Sequence, residues 1–361
     1  RRDRPRERRS GEGEPQLSSK SCVDAFSHFT RVLSRNKVLL DTLHIARQKA
    51  TLVQPPSDDG MGVKIYVLPV PNALTDDLVT CYRENCGLFY RGLPLEQILL
   101  HWMGDERGNN IDPNLCITPI AVPIGTQMLH ATGLAWASKY RGEKRIACTF
   151  FGDGATSEGD FHEAMNFAAN LDIPVVFFCQ NNHWAISVPG RIQCSAPTVA
   201  QRAVAYGMDT IQCDGNDIFA VVHCMRKATE LAREHGRPFF VEGVTYRLGD
   251  HTTADDARRY RDEEEVELWR QRDPIIRVRN HMKQLGIWDD SKEAALMEKV
   301  EAETAAIVER AESIEAPDSD DFFNAMYAEI PPDLELQRRT RRTSSIGQDP
   351  SQIERPQASN R

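Results

Sequence analysis

The sequence predicts an α/β protein built on a doubly wound parallel sheet, and three observations carry that prediction. Two apolar runs, Ile146-Ala147-Cys148-Thr149-Phe150-Phe151 and Ile173-Pro174-Val175-Val176-Phe177-Phe178-Cys179, have the length and uniform character of strands buried on both faces. Between them, residues 158–170 place Ala, Phe and Met at helical spacing, which makes one βαβ unit. Each run closes on a polar cluster, Gly152-Asp153-Gly154 after the first and Asn181-Asn182 after the second. Both clusters therefore stand at carboxyl ends of parallel strands, where open α/β sheets bind ligands.

The remaining elements extend the same alternation. Upstream, residues 95–103 are predicted helical, and a loop rich in Gly, Asn and Asp follows at 104–114. Residues 126–140 form a helix of mostly small side chains, with Gly133, Ala135, Ala137 and Ser138 among them. Beyond the βαβ unit, 208–213 and 238–246 read as two further strands, with a helix at 217–235 between them. Two amphipathic helices follow at 263–285 and 290–315. The second is capped near Asp290 or Ser291, is stopped by Pro317, and carries Leu296, Val300, Ile307, Val308 and Ile314 on one face. Segment 53–72 holds the turn formers Pro55-Pro56-Ser57-Asp58-Asp59-Gly60 and one apolar run, but no clear helix. Residues 1–20 and 338–361 are expected to be disordered tails, the second opening on Arg338-Arg339-Thr340-Arg341-Arg342. The chain opens on Arg rather than Met, so its amino end is read as incomplete or out of frame.

Composition narrows the function classes. The chain has 361 residues, 40% hydrophobic and 27% charged, enough for one large core or two smaller ones. A net charge of −9 argues against nucleic acid as a partner. No apolar stretch has the length of a membrane span, and no signal-peptide pattern opens the chain. The 9 cysteines form no C-x-x-C pair, and Cys148 and Cys179 fall inside predicted strands. They read as small core residues of a reducing compartment.

The two polar clusters carry the chemistry. Asp153 offers a hard anionic oxygen and Asn182 a neutral amide oxygen, a pair suited to Mg²⁺ carrying phosphates. Gly152 and Gly154 let the backbone approach such phosphates and expose N–H groups to them. A dinucleotide fingerprint fails on spacing, since Gly152, Gly154 and Gly159 do not make G-x-G-x-x-G. Gly-Asp-Gly alone would be an ordinary turn; Asn-Asn after the next strand is what makes the pair informative.

The run FFGDGATSEGDFHEAMNFAANLDIPVVFFCQNNHWAIS closely resembles the thiamine diphosphate motif of E1 α subunits of 2-oxo acid dehydrogenases. The resemblance is nearly unbroken from Ala73 to about Arg339 and faint over 26–47. It defines a thiamine diphosphate-binding domain at 73–337, with C-terminal helices, and a poorly matching region at 21–72. The Gly-Gln-Glu-Ala helix start usual in the family is missing from 53–72. The implied cofactors are thiamine diphosphate and Mg²⁺.

Site residues follow from the resemblance position by position. Tyr82 and Arg83 would contact the cofactor, with Arg83 on its diphosphate; by itself the dipeptide reads as a surface pair. The charge balance agrees, because a diphosphate, one Mg²⁺ and one Asp leave excess negative charge for a guanidinium. Val122 and Ile124 would give backbone contacts to the aminopyrimidine and an apolar wedge that keeps the cofactor bent. Gly152, Asp153, Gly154, Ala155, Asn182, Trp184, Ile186 and His251 complete the cofactor-binding set, with Asp153, Asn182 and the Trp184 carbonyl on the metal. A structural K⁺ would use the positions of Ala121, Pro123, Thr126 and Gln127, but Ala121 replaces a hydroxyl residue and the ion would lose a ligand. Gln180 stands where some members place an Arg near the diphosphate, and His183 reads as a loop residue.

His251 matches the loop histidine at the reaction centre, and an imidazole neutral-to-charged near pH 7 could give a proton to the lipoyl sulfur. Arg247, Asp255, Tyr260 and Arg261 match residues that order this loop for lipoyl docking. Kinases act on serines at the positions of Thr252 and Asp262 in mitochondrial relatives, so that control is expected to be lacking here.

The resemblance thus implies thiamine diphosphate-dependent oxidative decarboxylation of a small 2-oxo acid with acyl transfer to the lipoyl domain of E2. The DHTTADDARRYRD loop favours pyruvate; branched-chain acids such as 3-methyl-2-oxobutanoate are the alternative. A catalytically defective α-type subunit is a second alternative, motivated by 53–72, and a nicotinamide oxidoreductase a third. Cofactor activation also needs a Glu on a second α/β domain, for which the chain has no room. An E1 β subunit is therefore expected, in an α₂β₂ heterotetramer, located in a bacterial cytoplasm or, in a eukaryote, the mitochondrial matrix.

Overall fold

Five parallel strands in the order β1-β2-β3-β7-β6 form the frame of the molecule. They are β1 (Asp77–Val79), β2 (Ala147–Gly152), β3 (Val175–Asn181), β6 (Asp209–Asp214) and β7 (Phe239–Val244). The short strands β4 (Trp184–Ala185) and β5 (Val188–Pro189) pair as a separate antiparallel hairpin. This computed structural model describes residues 76–120, 122–318, 320–324 and 327–345. The expectations for 1–20, 21–72, Ala121 and 346–361 lie outside those residues.

Alternation of side chains along the strands builds two cores, one on each face. Cys148, Phe150, Val176 and Phe178 point to one face, where α1 (Asn85–Arg91), α2 (Leu95–Trp102) and α7 (Ile218–His235) supply Leu88, Ile98 and Met225. Ala147, Phe151, Val175, Phe177 and Cys179 point to the other. There α3 (Thr126–Tyr140), α4 (Gly159–Asn170) and α6 (Ala200–Val204) supply Met128, Phe161, Met165 and Ala203. The sheet is doubly wound. Each fully buried Phe or Leu side chain stabilises the fold by about 1.5–3 kcal/mol relative to exposure, which is why both runs are uniformly apolar. The helix α5 (Gly190–Gln193) follows the hairpin.

Several elements differ from expectation. Neither β1 nor α1 is foreshadowed by periodicity. The loop 104–114 contains two 3₁₀ turns, Glu106–Asn109 and Pro113–Leu115, opened by Asp105 and Asp112 side chains that accept backbone N–H bonds. The single helix expected at 263–285 is two, α8 (Glu263–Arg270) and α9 (Pro274–Gln284). Asp273 causes the break, accepting bonds from the N–H groups of Ile275 (2.7 Å) and Ile276 (3.1 Å), with Pro274 in the first turn. The next helix, α10 (Asp290–Glu312), buries Leu296, Val300 and Ile307 and ends short of Ile314, which is exposed.

The chain divides into two compact units, Arg1–Glu309 and Arg310–Arg361. The second contains α11 (Asp321–Asn324) and α12 (Pro332–Ser345). The Arg-rich start of the expected tail therefore lies in a helix, where Glu335 pairs with Arg338 (2.5 Å) and Arg339 (2.7 Å). The 8 cysteines among the described residues form no disulfide with one another, and no helix there is long and apolar enough to cross a membrane.

Candidate active site at the strand ends

Four of the five parallel strands end at the residues singled out from the sequence: β1 before Tyr82-Arg83, β2 at Gly152, β3 at Asn181, β7 before His251. After β2 the chain turns through the 3₁₀ segment Asp153–Ser157. Asp153 is 3% exposed, and its Oδ1 accepts the backbone N–H of Asn182 at 3.1 Å. That bond ties the turn after β2 to the turn after β3. Asn181 Oδ1 accepts from His183 N–H, and Asn182 Oδ1 from Trp184 N–H, both at 3.1 Å. Two successive Asx turns thus bend the chain, with His183 in the left-handed region at φ 67°. His183 lies against the rings of Tyr246 and Trp269, as a loop residue.

A second layer holds these turns, and sequence reading did not find it. Asn181 Nδ2 donates to Glu242 Oε1 at 2.7 Å, and the other Glu242 oxygen accepts the Ala200 N–H at 2.9 Å. Gln193 Nε2 donates to the Asp153 carbonyl at 3.2 Å. Arg202 donates to the Thr156 carbonyl and hydroxyl and to the Gln193 carbonyl. One signal was available: Glu242 is a lone carboxylate inside the buried run Phe239-Phe240-Val241-Glu242-Gly243-Val244, and such a group needs partners.

The turn suits a metal-borne phosphate. A Cβ built on Gly152 meets nothing within 4 Å, so the space beside that turn is open. At Gly154 it would come within 3.0 Å of the Ala185 Cβ, so glycine is what allows the hairpin to pack there. Among the described residues no cluster of three or more His, Cys, Asp or Glu is placed to hold a metal. One carboxylate, one amide oxygen and main-chain carbonyls remain, which is the donor chemistry Mg²⁺ takes.

On the β1 side, buried Glu84 accepts the Cys81 N–H and the Gln180 Nε2–H, each at 2.9 Å. Gln180, at the position where some family members place an Arg, is thus engaged by Glu84. The Arg83 guanidinium lies over the Tyr82 ring, 5.2 Å from its centroid. Its Nη2 stands 3.1 Å from His251 Nδ1 and donates to the His251 carbonyl at 3.1 Å. Burial pushes the His251 imidazole down to about 4; the Arg83 and Arg247 charges act the same way, against Asp255. The surroundings of His251 therefore favour its neutral form. Arg83 can only donate, so Nδ1 accepts and the proton sits on Nε2.

The His251 loop is held by side chains. Asp255 Oδ2 accepts the His251 N–H at 2.7 Å and the Tyr260 hydroxyl. Arg247 donates to the Ile186 carbonyl at 2.8 Å and to Tyr260 Oη at 2.7 Å. Arg261 donates to the carbonyls of Arg247, Leu248 and Gly249. Burial raises the Asp255 carboxyl, but bonds from Tyr260 and the His251 N–H, with the Arg247 charge, outweigh it and hold the group below its ordinary range. Beneath the loop Tyr246 stacks on Trp269 at 5.4 Å, and Trp184 meets Tyr260 at 5.5 Å.

The other expected contacts are less tied in. Val122, Ile124 and Ile186 are 56%, 44% and 55% exposed, apolar side chains presented outward. Ile186 has a left-handed φ of 53°. Ala155 is buried behind the turn. Gln127 donates to the Phe150 carbonyl at 3.1 Å, and its Oε1 is buried without a hydrogen bond, an acceptor a cation could use.

Residues 43–319 match the family model described as dehydrogenase E1 component. The chain is 44% identical over 266 residues to the 3-methyl-2-oxobutanoate dehydrogenase subunit alpha of Mycobacterium tuberculosis, covering 73% of this chain and 72% of that one. It is 37% identical over 328 residues to the pyruvate dehydrogenase E1 component subunit alpha of Acholeplasma laidlawii, covering 90% and 93%. The mitochondrial 2-oxoisovalerate dehydrogenase subunit alpha of Bos taurus is 37% identical over 276 residues, 74% of this chain and 61% of that one. A parallel sheet with polar turns at its carboxyl edge and a family match of this extent define a thiamine diphosphate-dependent enzyme subunit. The chain belongs to the dehydrogenase E1 component family, as an α subunit of a 2-oxo acid dehydrogenase.

Proposed function

We propose that thiamine diphosphate binds at this strand edge through Mg²⁺, with Asp153, Asn182 and the Trp184 carbonyl as metal ligands and Arg83 on the diphosphate. The bond from the Asn182 backbone N–H to the Asp153 carboxylate carries this reading, because it ties the turn that bears the anionic oxygen to the turn that bears the neutral amide oxygen. Gly152, Gly154 and Ala155 supply the close backbone approach. Val122, Ile124 and Ile186 supply the apolar wall against the organic part of the cofactor, and Tyr82 flanks Arg83. When bound, thiamine diphosphate supplies the carbon nucleophile and electron sink that 2-oxo acid decarboxylation needs. His251, neutral with its proton on Nε2, donates that proton or a hydrogen bond to the acceptor sulfur during acyl transfer.

The substrate is a short aliphatic 2-oxo acid. The loop pattern favours pyruvate, whereas the 44% relative is named for 3-methyl-2-oxobutanoate and supports the branched-chain acid more strongly. The exposed apolar side chains of Val122, Ile124 and Ile186 fit coverage by a β-type subunit in an α₂β₂ assembly, with the lipoyl domain of E2 meeting the His251 loop. The defective-subunit alternative rested on 53–72, a segment inside the family match that begins at residue 43.

The test is to purify the chain with a β partner, titrate thiamine diphosphate and Mg²⁺ by calorimetry, and assay pyruvate and 3-methyl-2-oxobutanoate in parallel. Saturable Mg²⁺-dependent binding and turnover of one acid at least tenfold above the other are expected, with the chain alone inactive. No cofactor heat in the assembled complex would refute the reading.

A further inference from the structure

One guanidinium nitrogen faces two demands. Arg83 Nη2 is engaged by His251, 3.1 Å from its Nδ1 and 3.1 Å from its carbonyl oxygen. The same side chain follows β1 at the strand edge where the diphosphate charge is read to fall. Nη2 carries two hydrogens and both are engaged by His251; a bidentate grip on a phosphate through the guanidinium fork takes one of them, so at least one bond to His251 must give way. We propose that Arg83 is a positioning residue coupling the halves of the site: an anion in the diphosphate position competes with His251 for the guanidinium, and its binding frees Nδ1 to take a proton. This inference rests on the reading of Arg83 as diphosphate ligand.

The surroundings of His251 show why Arg83 is the movable member. Arg247, the other cation acting on the ring, is fixed by the Ile186 and Gly249 carbonyls and by Tyr260. Asp255, the carboxylate acting on it, is fixed by the Tyr260 hydroxyl and by the His251 N–H itself. With Arg83 neutralised by a bound anion, one cation and one carboxylate of the loop face the imidazole, and their effects oppose. Burial remains, so the recovery is partial. The empty subunit would thus hold His251 as a neutral donor, and the loaded one would hold an imidazole that takes up a proton more readily.

Inorganic pyrophosphate is the probe, with Mg²⁺, on the full chain assembled with its β partner. Histidine Cε1 resonances are followed against pH, that of His251 being assigned by its loss in His251→Gln, and calorimetry reports binding separately. Saturating pyrophosphate should raise the His251 midpoint by about one pH unit or more, the scale of removing a neighbouring charge. Arg83→Gln should raise it without pyrophosphate and make it indifferent to the probe; a merely structural arginine would do neither. Pyrophosphate heat with an unmoved His251 midpoint overturns the coupling and leaves the diphosphate reading standing. No pyrophosphate heat in the wild-type complex overturns both. The wild-type comparison decides the matter even where Arg83→Gln fails to fold.

Discussion

Asp153 and Asn182 are the first residues beyond two adjacent parallel strands, β2 and β3, whose register sets Gly152 opposite Gln180, so the sheet fixes where both turns begin. His251 lies beyond β7 on a stretch with no strand partner, and its place depends on Asp255, Tyr260, Arg247 and Arg261 catching one another and the backbone. The first half grows out of main-chain ladders, with Glu242, Gln193 and Arg202 behind them, whereas the second is held by long polar side chains. A half of the first kind can be preformed and rigid. A half of the second kind opens locally at lower cost, because each of its bonds contributes only about 0.5–1.5 kcal/mol net, and it suits an acceptor domain that must come and go.

Substitutions at the two halves should part along that line. Asp153→Ala removes the anionic oxygen, and Mg²⁺-dependent thiamine diphosphate binding should vanish from calorimetric titration; unchanged affinity would refute its place on the metal. His251→Gln should leave that affinity nearly intact while slowing acyl transfer to a lipoyl domain by roughly 10²–10⁴-fold, the usual loss for a positioned acid. Decarboxylation followed with an artificial electron acceptor should fall far less, and an equal fall would move His251 to an earlier step. Glu242→Gln acts behind the strand-anchored half. It should weaken Mg²⁺-dependent cofactor binding by roughly 10–100-fold, as loss of a supporting partner does, and lower the melting temperature. Acyl transfer at saturating cofactor should be spared, and selective damage there would blur the division.

The smallest effect is on stability against pH. The folded state holds His251 at about 4, below the ~6.5 of a free histidine. Between those values the unfolded chain binds a proton that the folded chain does not, so stability falls as pH drops from about 6.5 toward 4 and the loss is complete below it. Asp255 works in a lower window, since its depressed carboxyl keeps its contribution above the ordinary carboxylate range and loses it only on further acidification. Melting temperatures from pH 7 to 4.5 should decline less in His251→Gln than in the wild type. Parallel curves would mean that the imidazole is not held neutral.

What could be read in advance follows the same division. The strands β2 and β3 and the helix Thr126–Tyr140 were legible because uniform apolar runs and small-residue periodicity are local signals. The strand β1 was not, since Asp77-Leu78-Val79 is three residues long and opens on a carboxylate paired to Arg145. The break at Asp273-Pro274 carried a local mark, a cap followed by proline, but amphipathic spacing ran through it. Of the site, the Asp153 and Asn182 turns could be found from strand ends alone. The Arg83–His251 contact joins segments on opposite sides of the sheet's sequence, and no spacing rule reaches across that distance. The expected loop order at Arg247, Asp255, Tyr260 and Arg261 came from resemblance, and the partners of each came only with coordinates.

Ile186 sits at the tip of the β4–β5 hairpin in a backbone conformation that glycine or asparagine would adopt with less strain. A β-branched residue there costs about 1–3 kcal/mol, and the Arg247 bond to its carbonyl helps hold it. For protein engineering this position is a trap: a design protocol that ranks residues by folding energy would choose glycine and report a gain. The resulting protein would melt later and present a bare turn where the native chain exposes a sec-butyl group.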